Sequence, residues 1–271
     1  MVFTAHSIQL NNGKMTMPWK TLLADTQFCQ AIFRTINRQF PPSIRHQIKV
    51  ADLGCLEGGF AVEAARHGYQ VVGFEARSNN FENCNFVKEN LDLPNLTFVQ
   101  DDVKALDKYG KFDVILCLGL LYHLDNPASF MKLMGTLTKS ILVLDTHFAH
   151  EKDFLYDFFP FLNPYKRIVT KRLPFLASKN NYALSGLTRN EGRKGRWFKE
   201  YNKRASQKRI DESKWAAFNN HRSFWLSKPE LLQVFRDAGF ETVYEQHDRI
   251  ENMYGPELYK HDRGMFIGIK P

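Results

Sequence analysis

Two histidines, His123 and His147, lie just beyond apolar strand-like runs, where a side chain stands on the rim of a sheet and can take a proton near neutral pH. Upstream, "VADLGCLEGGFAVEAARHGYQVVGFEA" (Val50–Ala76) breaks an apolar strand with Gly54, and Gly58 and Gly59 let the backbone approach a ligand and start a closely packed helix. Glu75 follows 21 positions after Gly54, at the end of the next strand. A glycine turn followed by an acid at that spacing suits a nucleotide-like ligand, whose ribose hydroxyls the acid accepts. The pattern is not GxGxxG, and Glu57 sits inside the turn, where a pyrophosphate would repel it. Asp52 and Glu57 suit a ligand with a cationic amino-acid end instead. In "FVQDDV", Asp101 and Asp102 end a third strand where they can accept from an adenine amino group, with Val103 against the ring.

These residues need a scaffold. From Ile48, short apolar strands alternate with helices: "IKVADLG", "QVVGFEA", "LTFVQDD", "FDVILCLGLLYHL" and "SILVLDTH" are five strands. The spacing predicts helices at "FAVEAARHG", "NNFENCNFVKENL" and "PASFMKLMGTLT". A further helix spans "SKPELLQVFRDAGF", with Ser227 as N-cap, Pro229 in the first turn and Gly239 at its end. "ETVYEQHD" and "GMFIGIK" close the chain as a strand pair around a long loop. The expected fold is α/β, a doubly wound, mostly parallel seven-stranded sheet with an irregular insertion after the fifth strand. Residues 50–147 and 226–271 form its catalytic domain, and 148–225 the insertion. Residues 1–49 are a helical and turn segment covering the ligand site, with a helix-like run from Trp19 to Phe40 stopped by Pro41-Pro42.

The glycine turn, Glu75 and Asp102 at successive strand ends resemble the class I S-adenosylmethionine-dependent methyltransferases, across Ile48–Pro271. "FDVILCLGLLYHLDNP", "SILVLDTH", "FWLSKPELLQVFRDAGF" and "DRGMFIGIKP" are similar to the subgroup of the bacterial tRNA wobble-uridine carboxymethyltransferase. The resemblance implies S-adenosylmethionine as cofactor, with Asp52 and Gly54 at its methionine end and Leu118, Gly119 and Tyr122 lining its site. Tyr122 and Arg263 match residues that hold the carboxylate of carboxy-S-adenosylmethionine in that subgroup, so the carboxylated cofactor stays open. No NPPY-type tetrapeptide follows the fourth strand, which argues against adenine N6 or glutamine as acceptor.

The chain has 271 residues, a net charge of +8 and 23 phenylalanines. Its charge favours an anionic partner. Between Lys166 and Arg209, 14 Lys and Arg face two acids, Glu191 and Glu200, a net +12 that exceeds the whole chain's charge. Tyr165, Phe175, Tyr182, Trp197, Phe198 and Tyr201 are interleaved with them. This insertion suits an RNA with a splayed base, a small anion, or plain solvation. Arg222 and Trp197 are candidate substrate contacts, with Arg222 binding a carboxylate or phosphate. The favoured reading is methylation of a small anionic acceptor, at oxygen before nitrogen. The alternatives are tRNA wobble-uridine methylation or carboxymethylation, and S-adenosylmethionine binding without turnover. "DTHFAHEKD" also offers Asp145, His147, His150 and Glu151 as metal ligands, although such strand-end clusters commonly hold no metal, and none is assigned. Cys29, Cys55, Cys84 and Cys117 read as buried thiols, and the absence of an apolar signal or membrane segment points to the cytoplasm.

Overall fold

The computed structural model describes residues 2–152, 184–201, 205–206, 210, 213–247 and 261–271. Tyr165, Phe175, Tyr182 and most of the basic residues between Lys166 and Arg209 lie outside them.

Strand β1 (Lys49–Leu53) is buried along all but its first residue because strands flank it on both sides and helices cover both faces. Its side chains alternate: Val50 joins a core with β2 (Gln70–Phe74), β3 (Leu96–Val99) and helices α1 (Gln27–Gln39), α2 (Gly59–Arg66) and α3 (Ser78–Glu89). Ala51 and Leu53 join the opposite core with β4 (Phe112–Leu118), α4 (Pro127–Leu137), β5 (Thr138–His147) and α5 (Lys228–Asp237). Two closing strands, β9 (Thr242–Gln246) and β10 (Arg263–Ile269), complete a sheet ordered β3-β2-β1-β4-β5-β10-β9. Strand β10 runs antiparallel to β5 and β9, and the other pairings are parallel. This is the expected doubly wound, mostly parallel α/β sheet.

Local differences have local causes. The run from Trp19 makes a single 3-10 turn at Leu23–Asp25 and becomes α-helical only at Gln27, because the Thr26 hydroxyl accepts from Cys29 N–H and sets the start there. Ser227 does precede α5, but its hydroxyl donates to Glu151 rather than capping the helix. The insertion, read as irregular, contains a three-stranded antiparallel sheet of β6 (Thr188–Asn190), β7 (Arg193–Lys199) and β8 (Arg222–Leu226). Its β6–β7 hairpin turns on Glu191 and Gly192, both with positive φ, while the Glu191 carboxylate accepts from Ala128 and Ser129 N–H at the start of α4. Arg196 is 1% exposed and donates to the carbonyls of His150, Ser185 and Glu151, so it fastens the insertion rather than offering charge outward. Arg193 pairs with Glu230 and Asp237. The four cysteines are free and buried. No helix among the described residues is long and apolar enough to cross a membrane.

Candidate active site

The carboxyl ends of β1, β2, β3 and β4 open onto one cavity of about 300 Å³, at the small end of ligand pockets. Gly54 turns the chain off β1 with φ +64, and Leu56, an uncommon non-glycine residue in the left-handed region, follows at φ +53. Leu56 N–H donates to Glu75 Oε2 at 3.0 Å, and Arg77 N–H donates to Oε1 at 2.8 Å. Two backbone donors thus orient the Glu75 carboxylate, each oxygen retaining acceptor capacity. Burial pushes its pKa up, against the pull of those donors.

Asp102 and Val103 line the cavity beyond β3, and Asp102 Oδ1 also accepts Lys104 N–H at 3.0 Å. Asp101, expected beside them, does not line it: its carboxylate accepts the Tyr109 hydroxyl at 2.8 Å on the solvent side. Both acids lie past the end of β3, where Tyr109 holds Asp101 outward while Asp102 caps the turn that begins at Val103. Leu118, Gly119, Tyr122 and Arg263 meet on the cavity floor. A Cβ on Gly119 would lie 3.5 Å from Arg263 Nη2 and 3.6 Å from Tyr122 Oη. Arg263 Nε and Nη2 both donate to Asp145 Oδ2, the former at 2.9 Å.

The glycine turn departs from expectation at Glu57 and Gly58. The Glu57 carboxylate is 1% exposed and accepts from Thr4, Ala5 and His6 N–H and from the Thr4 hydroxyl, so it anchors the N-terminal segment rather than a cationic ligand end. The space above Gly58 is taken by the Phe98 ring, 2.4 Å from where a Cβ would stand, so this glycine admits protein and not ligand. His6 Nδ1 accepts Gly59 N–H at 3.1 Å, and burial lowers its pKa to about 4, which keeps the ring neutral. Ala5 and His6 line the cavity.

Asp52 is buried beneath the turn and outside the cavity lining. Burial pushes its pKa up to about 7, and its Oδ2 meets no hydrogen-bond donor among the described residues. An orphaned buried carboxylate oxygen is costly, and a nearby cation would relieve it. The acids present are compatible with S-adenosylmethionine, a cationic ligand whose ribose hydroxyls and adenine amino group need acceptors: Glu75 and Asp102 line the cavity, and Asp52 is an unsatisfied acid beneath the turn.

On the acceptor side, His123 lines the cavity and His147 does not. The His147 ring stacks on Trp225, 4.6 Å between centroids, with Nδ1 3.1 Å from the Asp262 carbonyl. Arg222 and Trp197 also stand outside the cavity. In β8, Trp225 stacks on His147 and Ser223 meets Glu200, so alternation turns Arg222 to the other face, its guanidinium 3.8 Å over the Trp197 ring. Among the described residues, no three His, Cys, Asp or Glu side chains gather as metal ligands.

Sequence reasoning missed the cavity roof, residues 214–220. Arg77, 6% exposed, holds it by donating from Nη2 to the carbonyls of Ala216 and Ala217, both at 2.9 Å, and from Nη1 to that of Ile210 at 2.7 Å. Contacts across more than 130 residues leave no trace in spacing or periodicity.

A family model described as "Methyltransferase domain" matches residues 24–245. The ubiquinone biosynthesis O-methyltransferase of Albidiferax ferrireducens is 34% identical over 93 residues, covering 34% of this chain and 37% of the relative. The tRNA U34 carboxymethyltransferase of Trichodesmium erythraeum is 34% identical over 88 residues, covering 32% of this chain. The matched stretch spans only 27% of that relative's length. Among solved structures, the N-terminal domain of EvdMO1 in the presence of SAH and D-fucose superposes with a TM-score of 0.64 at 19% identity, covering 98% of this chain and 90% of that one. Magnesium protoporphyrin IX methyltransferase from Synechocystis PCC 6803, with bound SAH, gives 0.50 at 15% identity, covering 90% and 84%. These two likenesses concern the fold. With the matched model spanning most of the sheet and the strand-end acids in place around one cavity, the chain belongs to the class I S-adenosylmethionine-dependent methyltransferases.

Proposed function

We propose that this chain methylates a nucleophilic oxygen of a small anionic acceptor, with His123 as the base. The observation that carries the reading is a single cavity shared by Glu75 and Asp102, at strand ends suited to the cofactor, and by His123 and Tyr122 after β4. Glu75 holds the ribose hydroxyls, Asp102 the adenine amino group and Val103 the ring face. Asp52 and Gly54 serve the methionine end, above the floor of Leu118 and Gly119. Bound S-adenosylmethionine supplies a methyl group on cationic sulfur, activated for in-line displacement. The protein's own work is then to position the acceptor and remove its proton. His123 is assigned this role because it lines the cavity and His147 does not, and its loss lowers turnover by about 100-fold or more. Lys214 on the cavity wall, together with the +8 net charge, supports an anionic acceptor. The O-methyltransferase names of several relatives support oxygen over nitrogen.

A second reading, tRNA wobble-uridine carboxymethylation, draws support from the relative of that name and from Tyr122 and Arg263 on the floor. Against it, Arg263 already engages the Asp145 carboxylate. Native mass spectrometry of the purified chain separates the two. Co-purifying S-adenosylmethionine or its demethylated product, followed by turnover of a carboxylated or phenolic metabolite, supports the first. A ligand heavier by one carboxylate, together with salt-sensitive tRNA binding, replaces it with the second. Binding without turnover of either acceptor class would leave a cofactor-binding protein.

A further inference from the structure

Glu200 follows β7 with a side chain only 2% exposed. A carboxylate so far from water is costly unless donors meet it. His123 Nδ1 lies 2.9 Å and Ser223 Oγ 2.7 Å from Oε1, and Ala217 N–H donates to Oε2 at 3.3 Å. Ser223 is fully buried. The ionised carboxylate can only accept, so Nδ1 supplies the hydrogen of its contact, and in the neutral ring the lone pair belongs to Nε2. The main chain of His123 is fixed as well, since Asn220 Nδ2 donates to its carbonyl at 2.8 Å.

We propose that Glu200 is a positioning residue: it holds His123 in the tautomer whose Nε2 accepts the acceptor's proton. The proposal rests on the methyl-transfer reading above. As the new oxygen–carbon bond forms and the sulfur–carbon bond breaks, the acceptor's hydroxyl proton passes to Nε2. Glu200 then faces an imidazolium, which later returns the proton to water. The same carboxylate binds Ala217 in the cavity roof, so the base and the wall over the acceptor are set by one group. His147, by contrast, lies outside the cavity lining, with Nδ1 3.1 Å from the Asp262 carbonyl and 3.4 Å from its carboxylate.

Long-range proton–nitrogen NMR of the His123 ring tests this, because nitrogen shifts report which ring atom bears hydrogen. In the wild-type chain the neutral ring carries it on Nδ1. Glu200→Leu removes the acceptor and shifts the ring towards the Nε2–H form, whereas Ser223→Ala leaves it on Nδ1. A wild-type ring with hydrogen on Nε2, or one that stays protonated on both nitrogens at mildly alkaline pH as in a purely structural ion pair, overturns the proposal. The wild-type spectrum decides even if Glu200→Leu does not fold. Titration of the wild-type chain with S-adenosylmethionine runs in parallel. No binding removes the transfer reading and this role with it, while binding with the wrong tautomer removes the role of Glu200 alone.

Discussion

Glu57→Gln tests how the N-terminal segment closes the cofactor cavity. The change keeps shape but replaces one carboxylate oxygen with an amide NH2. Glu57 Oε1 accepts Thr4 N–H at 2.6 Å, and Oε2 accepts Ala5 and His6 N–H, both at 3.0 Å. In either amide orientation at least one backbone N–H of the anchor, the part-buried Thr4 N–H or the buried Ala5 and His6 N–H pair, faces another N–H, at about 1–3 kcal/mol. The remaining bonds lose charge assistance at roughly 1 kcal/mol each, so the segment loses about 4 kcal/mol in all. Each 1.4 kcal/mol is about tenfold, so exchange protection at the Thr4–His6 amides falls about a thousandfold, up to the limit set by local opening. Hydrogen exchange read by mass spectrometry measures this on the amino-terminal peptide. Because Ala5 and His6 line the cavity, S-adenosylmethionine affinity falls in parallel. Protection within threefold of wild type would refute the anchoring role and return Glu57 to the ligand.

Glu75→Ala removes the carboxylate proposed above to accept the ribose hydroxyls, and calorimetry should show S-adenosylmethionine affinity about 100-fold weaker with the fold retained; unchanged affinity would sink the ribose assignment. Asp52 keeps its proton to about pH 7 when folded but releases it near 3.8 when unfolded, so its contribution to stability is present below that lower value and lost as pH rises through 7. The loss amounts to about 4 kcal/mol in the ligand-free protein. Thermal melts of wild type and Asp52→Asn across this window isolate it, and parallel curves would contradict it. The same ionisation strengthens binding of a cationic cofactor with rising pH until about 7. Arg77→Met leaves three carbonyls without their charged donor, lowering stability by about 3 kcal/mol and raising exchange in residues 214–220. Unaltered roof exchange would show that other contacts hold it.

Periodicity and punctuation carried the main sheet: strands buried on both faces read as apolar runs, and Gly54, Pro127 and Gly239 marked where they and their helices begin or end. The strand ends in turn located Glu75, Asp102, Leu118 and Gly119 at one rim, because a parallel sheet brings its carboxyl ends together whatever the loops do. Direction within that rim was not legible. Asp101 and Asp102 are identical in type, and only packing turns one outward; Glu57 could meet a ligand or a backbone, and the N-terminal amides that claim it lie 51 to 53 residues away. Strand β7 was hidden because its charges obscure alternation, while its pairing with β8 spans a long separation. Tertiary structure also separates the two histidines: His123 lines the cavity and His147 does not. His123 and His147 have equivalent places in the sequence, each just past a strand, but His147 stacks on Trp225 while His123 meets Glu200 at the cavity wall. Local sequence therefore determined which elements form and which residues stand at their ends. Long-range packing decided which way those residues point, because a side chain's partner is set by the contacts that exclude water around it and not by its neighbours in the chain.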